Sequence, residues 1–250
     1  MNVSYVFRLL CLSLGSFFLI HIVVGLLVSL VSPMAVRFSE RITPRAAARF
    51  LLILRLLPAG SALLLVSGLC VPSYLWLEPA GATENIGLWC LAAVGLTVAV
   101  WGMSLTRAAR AVLGSFRYIR RCRQVGRETG KAVWVVESSA PVLGLAGIIR
   151  SRLVMSQALV NALSKDQLEA ALRHERAHGV SRDNLKRLLI LLAPDVLPFV
   201  QGFGPLERGW AKFTEWSADD RAVAGDSQRS LSLAAALVRV VAFHRSQTAR

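Results

Sequence analysis

Three long apolar runs in the first half of the chain constrain its fold more than any other feature. They cover residues 9–32, 50–72 and 86–105, and the first and third contain no charged side chain. A helix rises about 1.5 Å per residue, so each run is long enough to cross a hydrocarbon core of roughly 30 Å. The first run is too long for the apolar part of a typical signal peptide and lacks a clear cleavage site. The sequence therefore predicts three retained transmembrane helices.

Two ionisable residues lie inside these runs. Arg55 is near the start of the second run, and we expect its long side chain to extend toward the lipid headgroups. His21 is the only ionisable residue of the first run, and we expect it to pack between helices rather than to bind a metal. Both positions are compatible with a membrane span.

The basic residues are unevenly distributed between the connecting segments. The formal net charge is +14, and residues 37–49 carry four arginines against one glutamate. Residues 73–85 carry no lysine or arginine, whereas residues 106–131 carry eight basic residues and one acid. Because positively charged connections stay on the cytoplasmic side, we predict an external N-terminus and a cytoplasmic second half, in the inner membrane of the cell.

The same charges predict the partners of the chain. Each arginine next to a span is attracted to anionic lipid by about 1 kcal/mol, so we expect the basic segment to contact the inner leaflet. Segments that bind nucleic acid share this composition, but basic juxtamembrane helices are the commoner case, and no nucleic acid is expected. The four cysteines form no closely spaced pair, which excludes a disulfide framework and a zinc knuckle.

The second half of the chain has the pattern of a folded domain. Residues 132–137 are rich in β-branched and aromatic residues and predict a strand, with which residues 153–156 are expected to pair. Ser164 and Gln167 form a capping-box pattern at the start of a helix. We predict a mainly α-helical chain with a small β-hairpin or sheet. Its parts are a three-helix transmembrane region (1–106), a basic juxtamembrane helix (107–131) and a cytoplasmic domain (132–250).

A pair of histidines on this helix is the strongest functional signal. His174 and His178 are four residues apart, so both rings lie on one helix face, with Glu175 beside them. Two imidazole nitrogens placed in this way suit Zn²⁺. A carboxylate that does not bind the metal can take a proton from an attacking water and pass it to a leaving amine. HExxH on a helix is the signature of this chemistry, and the alternative is an exposed helix with polar i,i+4 pairs.

A catalytic zinc ion usually has three protein ligands and one open position. No third histidine follows closely, but Glu215 and Asp219 lie four residues apart in a segment of helical composition. Glu215 is the candidate third ligand. Asp219, on the same face, is the candidate partner for the free N–H of a ligand histidine. Asp183, just after the histidine pair, is expected to cap a helix or form an ion pair.

These motifs resemble those of the membrane-bound gluzincin peptidases, which combine HExxH with a downstream ExxAD. The corresponding segments here are HERAH at 174–178 and EWSAD at 215–219. The HtpX-type membrane proteases and the BlaR/MecR-type peptidases both fit, and residues 178–199 favour the second branch. The resemblance covers residues 133–225, together with the plan of spans ahead of a cytoplasmic catalytic domain.

The resemblance implies a helical, zincin-like metalloprotease domain with one Zn²⁺ ion. It implies His174, His178 and Glu215 as ligands, Glu175 as general base and acid, and Asp219 in a supporting role. The implied activity is that of a membrane-embedded, zinc-dependent endopeptidase acting on peptides or membrane proteins. The alternative is a non-catalytic membrane signalling or scaffold protein that retains the metal-site fold.

Three expectations concern the surroundings of the site. A substrate segment is expected to add to the edge of strand 133–137. His244 and Arg221 are candidates to stabilise the oxyanion, because no tyrosine follows Tyr118. Residues 187–202 are apolar but contain two prolines and an aspartate. For this segment we favour a membrane-dipping hairpin over a full crossing, which would carry Glu215 away from the histidines.

Overall fold

The structure is a computed structural model, in which the chain forms two compact units. The first unit consists of Met1–Ala108 and Leu189–Ala211, and the second of Ala109–Leu188 and Lys212–Arg250. The described residues are 3–79, 86–129, 133–138, 142–195 and 202–248. The chain is mainly helical and carries a small sheet, which confirms the predicted fold class.

Long apolar helices build the first unit. Helix α1 covers Val3–Ser39, and α2 covers Pro44–Leu65. A π-helical turn at Val66–Cys70 continues α2 into α3, Val71–Leu77, and α4 covers Leu88–Val125. Three stretches are long and apolar enough to cross a membrane, Tyr5–Ser39, Pro44–Leu77 and Leu88–Gln124, as the sequence predicted.

The spans contact each other through small and aromatic side chains. Phe17, Ala62 and Val66 form a buried cluster, against which Trp101 packs. Small residues such as Ala62 let helix backbones approach closely, which is the usual basis of helix association in lipid. His21 is fully buried and lies against the ring of Phe17, with ring centres 5.6 Å apart. Phe17 stands one turn earlier on α1, so this ring contact lies within one helix. The complete burial of His21 agrees with the predicted packing role.

The prediction for Arg55 is wrong. Instead of extending toward headgroups, its side chain is 2% exposed and donates a hydrogen bond to the carboxylate of Glu207 at 2.7 Å. It also donates to the carbonyl oxygens of Ile190 and Ala193. Carbonyls at the end of a helix lack partners within that helix, so they are strong acceptors for a buried guanidinium.

The predicted apolar hairpin at 187–202 is described only in part. Helix α7 covers Asp183–Leu192 and ends shortly before Pro194, which cannot continue a helix. Helix α8 covers Gly204–Val223. Residues 196–201, at the centre of the predicted hairpin, lie outside the described residues, and the hairpin stays a prediction.

A four-stranded sheet follows α4 in the second unit. The predicted basic helix 107–131 ends earlier, at Val125, and the chain enters a strand at Arg127. Gly126 stands at this change of direction, where a Cβ atom would lie 2.5 Å from the carbonyl oxygen of Cys122. The sheet order is β1-β2-β4-β3, with β2 and β4 parallel and the other pairs antiparallel. The strands are Arg127–Thr129 (β1), Val133–Val136 (β2), Leu143–Ala146 (β3) and Arg152–Ser156 (β4).

Three further helices complete the second unit. They are α5 (Gln157–Ala162), α6 (Lys165–Ser181) and α9 (Ser227–Thr248). The predicted capping box is present, since the Ser164 hydroxyl accepts from the backbone of Gln167 while the Gln167 side chain accepts from the backbone of Ser164. On the sheet side, Leu168 and Leu172 of α6 pack against the buried strand residues Val133, Leu153 and Met155. The face of α6 that carries Leu168 and Leu172 is thus packed on the sheet, and the histidine pair lies on a different face of this helix.

Candidate metal centre

Helix α6 presents His174 and His178 one turn apart on a single face. Their ring centres are 4.8 Å apart, and their Nε2 atoms face each other at 3.2 Å. Both side chains are mostly buried, with 12% and 14% exposure. The i,i+4 spacing therefore places two potential ligand atoms at one point.

Helix α8 brings Glu215 to the same point. Its Oε2 atom lies 3.5 Å from Nε2 of His174 and 3.5 Å from Nε2 of His178. The approach of the two helices is possible because Ala170 of α6 and Ala222 of α8 share a buried cluster with Leu233 of α9. Small side chains at this contact keep the helix axes close.

The donor atoms fit a zinc ion. Ligand atoms about 2.0–2.1 Å from zinc at tetrahedral angles lie roughly 3.3–3.4 Å from one another. The three observed separations of 3.2, 3.5 and 3.5 Å match the edges of such a tetrahedron. Among the described residues, His174, His178 and Glu215 form the one cluster of three potential ligands. Two neutral imidazoles, a carboxylate and an open fourth position are the donor set of catalytic zinc sites.

Each imidazole has a carboxylate on its far nitrogen. Nδ1 of His178 is hydrogen-bonded to Oδ2 of Asp183 at 2.9 Å, and Lys186 donates to the other oxygen of Asp183. Nδ1 of His174 lies 2.9 Å from Oδ1 of Asp219, in electrostatic contact but without the alignment of a hydrogen bond. Such carboxylates fix the ring orientation and raise the basicity of a ligand histidine.

Sequence reasoning did not place Asp183 at the candidate metal centre, where the structure brings it against His178. It was expected to cap or pair, and it does stand in the first turn of α7 and bind Lys186. Its contact with His178 arises because α6 ends at Arg182 in the left-handed conformation, with φ 54°. This turn brings Asp183 back toward the helix that it follows. A carboxylate five residues after the second histidine was the available signal.

The charges of the site are strongly coupled. Burial alone would lower the pKa of His178, but hydrogen bonds to Asp183 and Glu215 outweigh it and raise the pKa to about 10. Burial opposes protonation of His174 as well, yet the hydrogen bond to Glu215 leads to a raised pKa. The hydrogen bonds that Glu215 accepts from His174 and His178 hold the pKa of Glu215 well below its usual range. Each ring and the carboxylate therefore favour the charged form of the other.

Glu175 has a different environment. Burial raises the pKa of its carboxyl, while the neighbouring His174 and His178 act in the opposite direction and leave a net increase. A raised pKa brings a carboxyl closer to the range in which it can both accept and return a proton.

Of the two oxyanion candidates, Arg221 donates to the carbonyl oxygen of Ala177 and to Ser181, which ties α8 to α6. The side chain of His244 lies outside the described residues.

The match to a known family agrees with this geometry. The family model for peptidase family M48 matches residues 125–248. This part of the chain belongs to family M48. M48 peptidases are zinc-dependent, so the chain is a zinc metallopeptidase and hence a hydrolase, as the motifs predicted. The match lends no support to the preference for the BlaR/MecR-type branch. No curated protein and no solved structure gives a significant match.

One expectation about the M48 domain is wrong. The strand predicted at 133–137 was expected to offer an edge to the substrate, but the observed strand β2 pairs with β1 on one side and with β4 on the other. The outer strands of this sheet are β1 and β3. Near the histidine helix, a Cβ atom at Gly179 of α6 would lie 3.5 Å from Leu145 of β3. The strand close to the metal centre is therefore β3.

We predict that Asp183→Asn weakens zinc binding by about 10- to 100-fold, because the amide no longer stabilises the ligand form of His178. Competition with a chelator of known affinity measures the effect. Asp220→Asn is the matched control, since Asp220 is an exposed acid on α8. Equal zinc affinity in Asp183→Asn and the unmodified chain would contradict the assigned role of Asp183.

We predict that zinc binding releases protons at neutral pH. Zinc binds neutral imidazole, whereas the pKa of His178 in the metal-free protein is raised to about 10. Zinc affinity should therefore increase with pH through the neutral range, by about tenfold per unit for each proton displaced. Calorimetric titrations in buffers of different ionisation enthalpy give the number of protons. Binding without proton release would show that His178 is already neutral.

Proposed function

We propose that this M48 peptidase is a membrane-embedded endopeptidase that cleaves peptides or membrane proteins at the cytoplasmic face of the inner membrane. The observation that supports this proposal best is the triangle of donor atoms from His174, His178 and Glu215. The Glu215 side chain is 61% exposed, so a peptide can reach the site from solvent. A purely structural zinc site would be closed by a fourth protein ligand.

The ligand set defines the chemistry. The two imidazoles and Glu215 would hold Zn²⁺, which would supply the Lewis acidity that activates water and polarises the scissile carbonyl. Asp183 and Asp219 hold the imidazoles in the orientation that binding requires. Their negative charges also favour the retention of a divalent cation.

Glu175 transfers the proton in this mechanism. It accepts a proton from the attacking water and donates it to the leaving amine, so the peptide bond breaks with a net addition of water. Its place directly after His174 puts the carboxylate next to the site on the same helix. The raised pKa of Glu175 makes its carboxylate a stronger base for the proton of the attacking water.

The substrate binds as an extended strand along β3. The backbone N–H of Ser156 donates to the carbonyl oxygen of Val142. Because backbone groups alternate along a strand, those of Leu143 then point away from β4, toward the outer edge. The Asn184 side chain donates to the carbonyl oxygens of Leu145 and Gly147, which covers one end of this edge. A substrate segment would pair from the Leu143 end.

The arginines of α4 support the proposed membrane placement. Residues 107–123 of this helix carry no acid, and their arginines are exposed: Arg107, Arg110, Arg117, Arg120, Arg121 and Arg123. This charge favours the cytoplasmic side and contacts with anionic lipid. We therefore place the M48 domain in the cytoplasm.

We predict that Glu175→Gln loses at least about 100-fold in peptide hydrolysis while it binds zinc as tightly as the unmodified chain. Gln keeps the size of the side chain and removes its ability to take a proton. The test measures zinc content together with the cleavage of membrane proteins, compared between the variant and the unmodified chain. Glu169→Gln, on an exposed face of the same helix, is the control.

Two results would contradict this mechanism. Cleavage by Glu175→Gln at the unmodified rate would exclude Glu175 as the base. Zinc binding without any cleavage product in the unmodified chain would favour a non-catalytic signalling or scaffold role.

We predict that a cysteine introduced as Ser230→Cys in α9 reacts with a membrane-impermeant thiol reagent only after the membrane is opened. Ser230 is exposed and follows the M48 metal ligands in the chain. Ala82→Cys, between the second and third spans, should react in intact cells. The reverse pattern would place the catalytic domain outside the cell.

A further inference from the structure

Arg55 is a buried charge inside a helix that is apolar enough to cross a membrane. Its side chain is 2% exposed, within the candidate span Pro44–Leu77. Burying a guanidinium costs free energy unless its donors find partners, and an apolar side chain would fill the same space without that cost. An ionisable residue in such a helix therefore indicates a role beyond packing.

The partners of Arg55 lie far along the chain. Nε donates to Glu207 at 2.7 Å, and one terminal nitrogen donates to the carbonyl oxygens of Ile190 and Ala193 at 3.3 and 3.2 Å. The guanidinium also lies over the ring of Phe203, 4.6 Å from its centre. These contacts join the end of α7 and the start of α8 to α2.

The first turns of α8 also pack tightly on this face of α2. Leu51 lies one turn before Arg55, and a Cβ atom at Gly209 would lie 3.0 Å from its Cδ1 atom. The same Cβ would lie 3.5 Å from Val36 of α1. Leu206, on these turns of α8, is fully buried. Glycine at 209 thus leaves just enough room for the helix, and Arg55 holds it there through Glu207.

Helix α8 continues without a break from Gly204 to Val223, and it carries Glu207 and Glu215. At about 1.5 Å per residue, the two glutamates are roughly 12 Å apart along one continuous helix. We propose that Arg55 is a positioning residue that acts on the metal centre through α8, because its ion pair with Glu207 anchors the start of the helix that carries Glu215. This inference rests on the proposed ligand role of Glu215.

A positioning role predicts an effect on metal binding rather than on folding alone. Arg55→Gln removes the charge and most of the donors, and Glu207→Gln removes the charge of the partner while it keeps an acceptor oxygen. Both should weaken Zn²⁺ binding by roughly 3- to 30-fold, the range expected for a residue that acts through a packed element. Arg49→Gln is the matched control, because Arg49 is an exposed arginine on the same helix.

The experiment uses the full chain in detergent, with Zn²⁺ affinity measured by chelator competition. Co²⁺ added in place of zinc provides a second readout, since its visible absorption depends on ligand geometry. The Co²⁺ spectrum should change in Arg55→Gln and Glu207→Gln, and it should stay the same in Arg49→Gln. The thermal unfolding of each variant is measured in parallel.

The outcomes separate the possible explanations. Lower unfolding temperatures with unchanged Zn²⁺ affinity and Co²⁺ spectrum would mean that Arg55 only stabilises the fold, and this would overturn the proposal. If Arg55→Gln fails to fold, the milder Glu207→Gln decides by the same two readouts. Glu215→Ala separates the two proposals: unchanged zinc affinity there refutes the ligand assignment. Weak binding in Glu215→Ala together with normal binding in Arg55→Gln refutes the positioning role alone.

Discussion

The Glu215 carboxylate lies between two imidazole rings, and this contact joins α8 to α6 at the metal centre. The ring nitrogens of α6 face each other at 3.2 Å, where two protonated rings repel unless an opposite charge lies nearby. The carboxylate, 3.5 Å from both, provides that charge. It can do so only if α6 and α8 meet at one place along their lengths, which Ala170 and Ala222 allow in their shared core. Packing and charge thus require the same helix contact.

The sequence predicts the spans well and their polar contacts poorly. A hydrocarbon core imposes a length and a composition that can be recognised without any knowledge of tertiary structure. The partners of Arg55 stand 135 to 152 residues later, and no local pattern connects them to α2. The position of β2 inside the sheet was missed for a related reason. Strands β1 and β3 have three and four residues, too few for a reliable alternation.

At the metal centre, too, the sequence predicts the local contacts better than the tertiary ones. The pairing of His174 with His178 is local, because helical periodicity alone places i and i+4 on one face. Glu215 could be proposed from the need for a third ligand and from its spacing to Asp219, with the resemblance to a known motif in support, but its approach to the histidines is a tertiary contact that no local pattern predicts. Asp183 was assigned to capping because an acid at a helix start is common. Its contact with His178 depends on the left-handed backbone at Arg182, which no composition rule indicates.

The charges of the metal centre make the stability of its domain depend on pH. The pKa of His178 is raised to about 10 from an ordinary value of 6.5, so this ring contributes stability that is complete below pH 6.5 and lost as the pH rises through 10. The lowered pKa of Glu215 contributes in the opposite direction, with stability lost in acid. Between these limits, each ring attracts the Glu215 carboxylate, and the separations of 3.2 to 3.5 Å between the donor atoms are close to those that a tetrahedral zinc ion requires. Because zinc binds neutral imidazole, the metal and the protons compete for the same ring nitrogens.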